Sequence, residues 1–306
     1  MADLVNELVW SHSRGRAFAG CLRAYWFTYY GSWGGWDAQA PPAARDAYVQ
    51  KKLTTRSMWT GTVVHQLAED ALRRVRDGYG PRSLEDALVG AENRARREIK
   101  ESASGEWLAR PARRVGFREH YYDEPVPAEA WEEAIEEIRR QTRVLWSQRL
   151  FRRLLEVPDR ILELEDLRRF RVGDAEVYVA LDVMVDDGRG GVVILDWKTG
   201  NNHREDDISS QLGVYGLYAT EVCGVPEARV VAMHVNLRHD SETRHPVGRE
   251  QIDHARKTIA DDVAAMRRKL VDSAANVANP DDFPTVDRDD PRCRFCNFRG
   301  ICDRRT

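Results

Sequence analysis

The protein has 306 residues, of which 42% are hydrophobic and 32% charged, and its 47 basic against 50 acidic side chains give a formal charge of −3. This length and apolar content allow a large buried core, whereas no window approaches the roughly 18 to 20 consecutive apolar residues of a membrane-spanning helix. The near-neutral charge excludes binding of nucleic acid through bulk basicity alone, although a local basic groove is compatible with it.

The first predicted element is an aromatic segment near the N-terminus. Residues 10–36 are dense in Trp, Tyr and Phe, and the stretch 13–29 reads as a helix that ends in the Gly-rich turn 31–35. Two interpretations stay open. The segment is either a core helix with an aromatic loop, or a platform on which the bases of a single strand stack.

Amphipathic helices are predicted next, because apolar residues recur at helical spacing with charged residues opposite. These helices are 60–76, 83–100, where Ser83 and Asp86 form a capping pair, and 128–155.

Beyond Pro158 the apolar period changes from 3.6 to 2. Residues 176–187 alternate as a strand, a Gly-rich turn follows, and 192–198 form a second, more apolar strand, so the pair predicts a hairpin. The elements predicted after the hairpin are a helix at 206–222, a strand at 229–237, a helix at 248–270 and an extended connector at 273–292. This order predicts a mixed α/β layer fold in a single domain, 1–306.

The end of the second strand carries a D-x-K pattern. Asp196 and Lys198 share one face of the strand, and Trp197 points to the other. The hairpin could bring Asp182 beside Asp196, and two converging carboxylates with a nearby lysine suit Mg²⁺ or Mn²⁺. A buried Asp-Lys ion pair is the structural alternative.

Two predicted helices carry polar pairs at i and i+4, which lie on one face. His65 and Glu69 form the first pair and could point together at a site; a packing or surface histidine is the alternative. Gln211 and Tyr215 form the second and could orient a ligand or bond a phosphate; a core edge is the alternative.

The cysteines carry the most specific spacing. The first ten residues lack a basic segment followed by an apolar one, which predicts a cytoplasmic, reducing location, where clustered cysteines more often bind metal. Cys21 and the triplet Cys293-x2-Cys296-x5-Cys302 offer four thiolates, and their uneven spacing favours an iron-sulfur cluster over zinc or no metal. Cys223 has no partner in sequence and is predicted to be a small core residue.

These motifs follow one another in a fixed order: Cys21, His65, Asp182, Asp196-x-Lys198, Gln211-x3-Tyr215 and the terminal cysteine triplet. The order resembles the RecB-like branch of the PD-(D/E)XK nucleases. It resembles more closely the members with a four-cysteine 4Fe-4S cluster, namely the CRISPR-adaptation exonucleases and the nuclease domain of the AddB helicase-nuclease subunit. The resemblance spans residues 21–302, nearly the whole chain.

This resemblance implies a restriction-endonuclease-like α/β fold, with a mixed central sheet flanked by helices. Most of the extra length of this chain relative to the smaller CRISPR-type members lies in residues 77–160, which the resemblance therefore implies to be a helical insertion. The segment 273–306 is a connector whose cysteines, with Cys21, hold a cluster that joins the N- and C-termini.

The resemblance also implies roles for the motif residues. Those implied to bind a catalytic Mg²⁺ or Mn²⁺ are His65, Asp182, Asp196 and the backbone carbonyl of Trp197. Lys198 is implied to orient or deprotonate the attacking water. Gln211 and Tyr215 are implied to shape the site and contact DNA, and Glu69 is expected to support it.

The sequence therefore predicts a metal-dependent deoxyribonuclease that acts on single-stranded DNA or DNA ends, in DNA repair, phage defence or CRISPR adaptation. An exonuclease is favoured. Two alternatives stay open: a non-catalytic DNA-binding or scaffold module with protein partners in a larger complex, and a zinc-stapled protein-interaction domain.

Overall fold

The computed structural model describes residues 4–200, 205–287 and 289–302, and only the backbone of 205–209. The strands are β1 (Val9–Trp10), β2 (Leu53–Thr54), β3 (Gly116–Phe117), β4 (Ile161–Leu164), β5 (Leu167–Val172), β6 (Ala175–Ala180), β7 (Val183–Asp186), β8 (Val192–Lys198), β9 (Val230–Asn236) and β10 (Ser241–Pro246). The helices are α1 (His12–Gly20), α2 (Leu22–Trp26), α3 (Pro42–Lys51), α4 (Arg56–Arg76), α5 (Leu84–Ala103), α6 (Arg118–Tyr121), α7 (Ala128–Ser147), α8 (Arg149–Glu156), α9 (Glu205–Glu221) and α10 (Arg249–Arg267).

The central sheet has five strands in the order β10-β9-β8-β7-β4. Strands β8 and β9 are parallel, and the other neighbouring pairs are antiparallel. A smaller sheet, β1-β6-β5, and the short parallel pair β2-β3 complete the strands described. The mixed α/β architecture predicted from the sequence is confirmed.

The two faces of the central sheet carry separate cores, which explains why β8 is apolar on both sides. Ile194 packs with Leu217 of α9 and with α10 in one core. Leu195 and Trp197 face the other core, where Leu72 of α4 packs with α7 and α8. Because side chains alternate along a strand, Asp196 and Lys198 lie on the α9 side.

The strand predicted at 176–187 is two strands in different sheets. Strand β6 pairs with β5 and β1, whereas β7 pairs with β8 and β4. The chain leaves the first sheet at Leu181 and Asp182, whose carbonyl oxygens accept from the backbone N–H of Glu165 at 2.8 and 3.2 Å. Apolar residues continue at every second position through the break, at Val179, Leu181 and Val183, so the sequence period does not reveal it.

The helix predicted at 128–155 is also interrupted. Gln148 is extended (ψ 129°) between α7 and α8, and its side-chain amide donates to Asp240 at 2.6 Å. Near the N-terminus, Cys21 is extended (φ −144°, ψ 116°) between α1 and α2, and a π-helical turn follows at Phe27–Gly31. One continuous helix over 13–29 is therefore wrong, because Cys21 breaks it.

Other expectations agree with the structure within a few residues. Helix α5 begins after Ser83, whose hydroxyl accepts from the backbone N–H of Asp86 at 3.0 Å. The hairpin turn between β7 and β8 places Gly188 and Gly190 at positive φ (74° and 80°), where glycine is favoured. Cys223 is exposed rather than a core residue, because it follows the end of α9 in a turn.

The segment 273–292 is largely irregular, as the connector prediction states, apart from short 3₁₀ turns. Its Arg288, and residues 303–306 of the predicted terminal segment, lie outside the described residues. Among the helices described, none is both long and apolar enough to traverse a lipid bilayer.

Candidate active site

Three acid-base side chains converge where α4 passes the ends of β4 and β7. The Nδ1 atom of His65 lies 3.5 Å from a carboxylate oxygen of Glu165 and 3.5 Å from Oδ2 of Asp182. One ligand atom from each of the three lies within 4.8 Å of the others. An imidazole with two carboxylates is a donor set that suits a hard divalent cation such as Mg²⁺ or Mn²⁺.

Glu165 was not predicted from the sequence. It lies in the turn between β4 and β5 with φ at 51°, a left-handed conformation that non-glycine residues rarely adopt. Its backbone N–H bonds to the carbonyls of Leu181 and Asp182 fix this turn. The turn thereby holds the Glu165 carboxylate beside His65. Its left-handed backbone conformation distinguishes Glu165, and that conformation is visible only in the structure.

Asp182 is held from two sides. Its Oδ2 accepts the backbone N–H of Trp197 at 2.7 Å and lies next to His65. Since Val183 pairs with Leu195, the register of the hairpin places Asp182 beside Asp196. The sequence predicted this arrangement of the two carboxylates.

Asp196 and Lys198 form a second, adjoining group. Their side chains make an ion pair on the α9 face of β8. Gln211 accepts from the Lys198 amine at 3.1 Å and donates to Oδ1 of Asp196 at 3.3 Å, and the Tyr215 hydroxyl donates to the same oxygen at 3.2 Å. His234, opposite Asp196 on β9, places its Nε2 3.5 Å from Oδ2 of Asp196.

The predicted residues thus lie together, but in two groups. His65 and Asp182 join Glu165, whereas Asp196 lies outside that tight cluster and is paired with Lys198. The backbone N–H of Trp197 connects the groups through Asp182; the role of its carbonyl oxygen as a metal ligand stays a prediction.

The carboxylates carry unbalanced negative charge. Burial, and then the neighbouring Asp182 carboxylate, raise the pKa of Asp196 to about 6 despite Lys198. Burial opposes protonation of His65, but Asp182 and Glu165 outweigh it and hold its pKa well above 6.5. Burial disfavours the charged form of Asp182 as well, yet His65 and the Trp197 N–H keep its pKa below 3.8. A cation is favoured in such surroundings.

A groove of about 480 Å³ opens beside His65 and Glu165, and Thr199 forms part of its wall. Glu69 also lines this groove, as its spacing from His65 predicts. Its carboxylate accepts from Arg73 at 2.7 Å, however, so it is paired with a cation of its own helix. The geometry favours a supporting place for Glu69 at the groove wall.

The cysteines meet elsewhere in the fold. Cys21, Cys293, Cys296 and Cys302 line one cavity of about 190 Å³. None of the five cysteines forms a disulfide. No three of the four lining thiol sulfurs lie within 4.8 Å of one another.

The cysteine segment is docked on the body of the protein. Tyr122 donates to the carbonyl of Asn297 at 2.6 Å, and Asn297 donates to that of Leu53 at 2.7 Å. Arg118 is buried and donates to the carbonyl of Phe295 at 3.0 Å. These bonds hold the C-terminal segment against α6 and β2.

The chain was compared with known proteins. A family model described as "PD-(D/E)XK nuclease superfamily" matches residues 9–303. The comparison with curated proteins gave no significant match. A solved structure titled "Crystal structure of SSO0001" is similar at 15% sequence identity over 61% of this chain and 79% of that one, with a TM-score of 0.31.

Proposed function

The chain belongs to the PD-(D/E)XK nuclease superfamily, and from that premise we propose that it is a metal-dependent deoxyribonuclease acting on single-stranded DNA or DNA ends. The RecB-like motif order noted in the sequence supports the finer assignment. The observation that carries the proposal is the joint placement of the His65, Glu165 and Asp182 cluster next to the Asp196-Lys198 pair.

The chemistry of the donors fits a divalent metal. His65, Glu165 and Asp182 would hold the ion, with Asp196 and the carbonyl of Trp197 as neighbouring ligands. When bound, the metal would lower the pKa of the attacking water and offset negative charge that grows on the phosphoryl oxygens. Glu165 extends the ligand set implied by the sequence.

Lys198 has a separate task in the proposed reaction. Its amine is steered by Asp196 and by the amide oxygen of Gln211, so its position is fixed from two sides. From there it would orient the attacking water and compensate charge on the phosphate. Burial, and then the Asp196 carboxylate, raise the pKa of the Tyr215 hydroxyl well above 10, so it remains a neutral donor that holds Asp196 in place.

We also propose that the four-cysteine cavity holds a 4Fe-4S cluster. All four thiols line this single cavity, and the uneven spacing of the cysteines in sequence supports a cluster, in which each cysteine binds a different iron, over a zinc site.

The test is a cleavage assay. Anaerobically purified protein is incubated with end-labelled single-stranded DNA, duplex DNA and single-stranded RNA, with Mn²⁺, Mg²⁺ or EDTA. We expect metal-dependent cleavage of DNA, strongest on the single strand, and no cleavage in EDTA. Tight DNA binding without cleavage in either metal would contradict the nuclease assignment and favour the scaffold alternative.

A further inference from the structure

A surface patch of aromatic and cationic side chains lies near the N-terminus, outside the cluster that would bind the metal. We call this patch the ledge; its residues are Tyr29, Trp33, Trp36, Lys51 and Lys52. Trp33 and Trp36 are 39% and 42% exposed, and their rings meet edge to face at 5.0 Å. Adjacent exposed aromatic rings form an apolar surface of the kind that marks a binding site.

Cations lie over two tyrosine rings of the same region, of which that of Tyr48 meets Trp36 edge to face at 6.2 Å. The Lys51 amine lies 5.7 Å from the centre of the Tyr29 ring, and that of Lys52 lies 5.5 Å from the Tyr48 ring. Lysine is rare in this chain, so two adjacent lysines here concentrate positive charge. Partial desolvation, and then repulsion from Lys52 and Arg14, lower the pKa of Lys51 to about 8. An anion bound here would relieve that repulsion.

The ledge connects with the active site through two adjoining grooves. A groove of about 330 Å³ is lined by Gln211, Tyr215, His12 and Tyr178. A second, of about 240 Å³, is lined by Tyr178 and by three residues of the ledge, Tyr29, Trp33 and Lys51.

The fold itself joins the two grooves. Strand β1 pairs in parallel with β6, with Trp10 opposite Val177, so the next residues along, Ser11 and Tyr178, stand side by side. Both line both grooves. Among the described residues that line the two grooves, Glu7 supplies the carboxylate, and it is paired with Arg169 at 2.7 Å.

We propose that this path is a track for single-stranded DNA, in which bases stack on Trp33 and Tyr178 while Lys51 binds the phosphate backbone. Sequence-tolerant single-strand sites combine stacking rings with cations in this way, because every base has a π face and every nucleotide a negative charge. The inference rests on the proposed function, because the track leads the strand to or from the phosphodiester bond that is cut. Trp10, Tyr25 and Phe27 of the aromatic N-terminus are buried, as its core interpretation states, and the track applies the stacking interpretation to the exposed Trp33.

The test measures binding separately from cleavage. Fluorescence anisotropy of a labelled oligo(dT) is recorded in EDTA for the wild type, Trp33→Ala, Trp33→Phe and Tyr79→Ala. Tyr79 is an aromatic side chain away from the track that is more exposed than Trp33, at 62%, and serves as the matched control. We expect roughly tenfold weaker binding for Trp33→Ala, since one lost stacked base has about that effect. Trp33→Phe and Tyr79→Ala should bind nearly as the wild type.

A charge variant gives an independent readout. The plot of log affinity against log salt concentration should have a slope that is roughly 0.7 less negative in Lys51→Gln, because one phosphate contact is removed. In the cleavage assay, Trp33→Ala should cut a trinucleotide at the wild-type rate but a long oligonucleotide more slowly at limiting concentration.

Equal oligo(dT) affinity of Trp33→Ala and the wild type would overturn the track. Failure of the wild type to bind oligo(dT) would also overturn it, and would favour a protein partner for the ledge. A wild type that binds through Trp33 but never cleaves would contradict the proposed function and leave the track intact.

Discussion

At the scale of single residues, the site combines positions that the sequence marks with one that it does not. His65, Asp182 and the D-x-K pair were identified because each stands at a readable place on a helix or strand. Glu165 stands in a turn with no periodicity around it. Its position depends on a left-handed backbone and on contacts with the distant β6-β7 break, which local patterns do not encode.

Glu165 gives the first prediction. Glu165→Gln keeps the shape of the side chain but removes one negative charge from the cluster, so Mn²⁺ affinity should fall by at least about tenfold. Isothermal titration calorimetry of the protein with Mn²⁺ measures this. The matched control is Glu69→Gln, whose carboxylate is paired with Arg73 and should matter less. Unchanged affinity in Glu165→Gln would remove it from the ligand set.

The pH dependence of metal binding follows from His65. Its pKa is raised by Asp182 and Glu165, so the proton on His65 stabilises the metal-free fold at low pH, and this contribution is lost as pH rises through that pKa. A metal must displace the proton, and Asp196, with its pKa of about 6, must also ionise. Metal affinity should therefore increase with pH, by roughly tenfold per unit for each proton released.

Calorimetric titration with Mn²⁺ at about pH 6 and about pH 8, in two buffers of different ionisation enthalpy, counts these protons. His65→Gln should bind Mn²⁺ more weakly and release fewer protons. Affinity that is the same at both pH values in the wild type would show that His65 is not a ligand.

At the scale of elements, the sequence predicted long periodic segments well and interruptions poorly. Helices α4, α5 and α10 were predicted because one face of each is buried, and the β7-β8 hairpin because two apolar strands flank a Gly-rich turn. The strands missed include β5 and β10, which are largely exposed and rich in charged residues, so they lack an alternating apolar pattern. The breaks at Cys21 and Gln148 depend on contacts with distant parts of the chain.

Packing between α9 and α10 positions Gln211 and Tyr215, and Gly213 lies between them. A Cβ atom at Gly213 would approach the carbonyl oxygen of Gln251 to 2.4 Å and the Cβ of Ala255 to 2.8 Å. Gly213→Ala should therefore push the helices apart and cost about 1 to 3 kcal/mol of unfolding free energy. Cleavage should fall with it, because the bonds that hold Asp196 and Lys198 shift.

The control for this prediction is Gly80→Ala, which makes the same substitution where nothing lies within 4 Å. Its unfolding free energy, measured by urea denaturation, should change by less than about 0.5 kcal/mol. If both variants unfolded at the same urea concentration as the wild type, close helix packing would not be what positions the α9 side chains.

At the scale of the whole molecule, the cysteine cavity joins the two ends of the chain. The spacing of the cysteines predicted this meeting, because four thiols that share a group must converge, and the structure brings all four to one cavity. The docking of the segment through Tyr122 and Asn297 could not be predicted, because single polar contacts over such sequence distances leave no pattern.

A cluster in this cavity should make the folded state depend on iron. The anaerobic protein is expected to be brown with about four irons per chain. Cys293→Ser should lose colour and iron and lower the melting temperature, measured by calorimetry. Cys223→Ser is the matched control, because Cys223 is exposed and lies outside the cavity. This variant should keep its colour, its iron content and its melting temperature. A colourless protein with one zinc per chain would contradict the cluster.

The central claim, a nuclease site organised around Lys198, is tested most directly by one comparison. Cleavage of single-stranded DNA in Mn²⁺ is measured for the wild type, Lys198→Ala and Lys257→Ala, whose amine is exposed on α10 and paired with Asp261. Lys198→Ala should lose cleavage by about a thousandfold while it binds DNA within about twofold of the wild type, and Lys257→Ala should cleave normally. Cleavage by Lys198→Ala at the wild-type rate would contradict this account of the site.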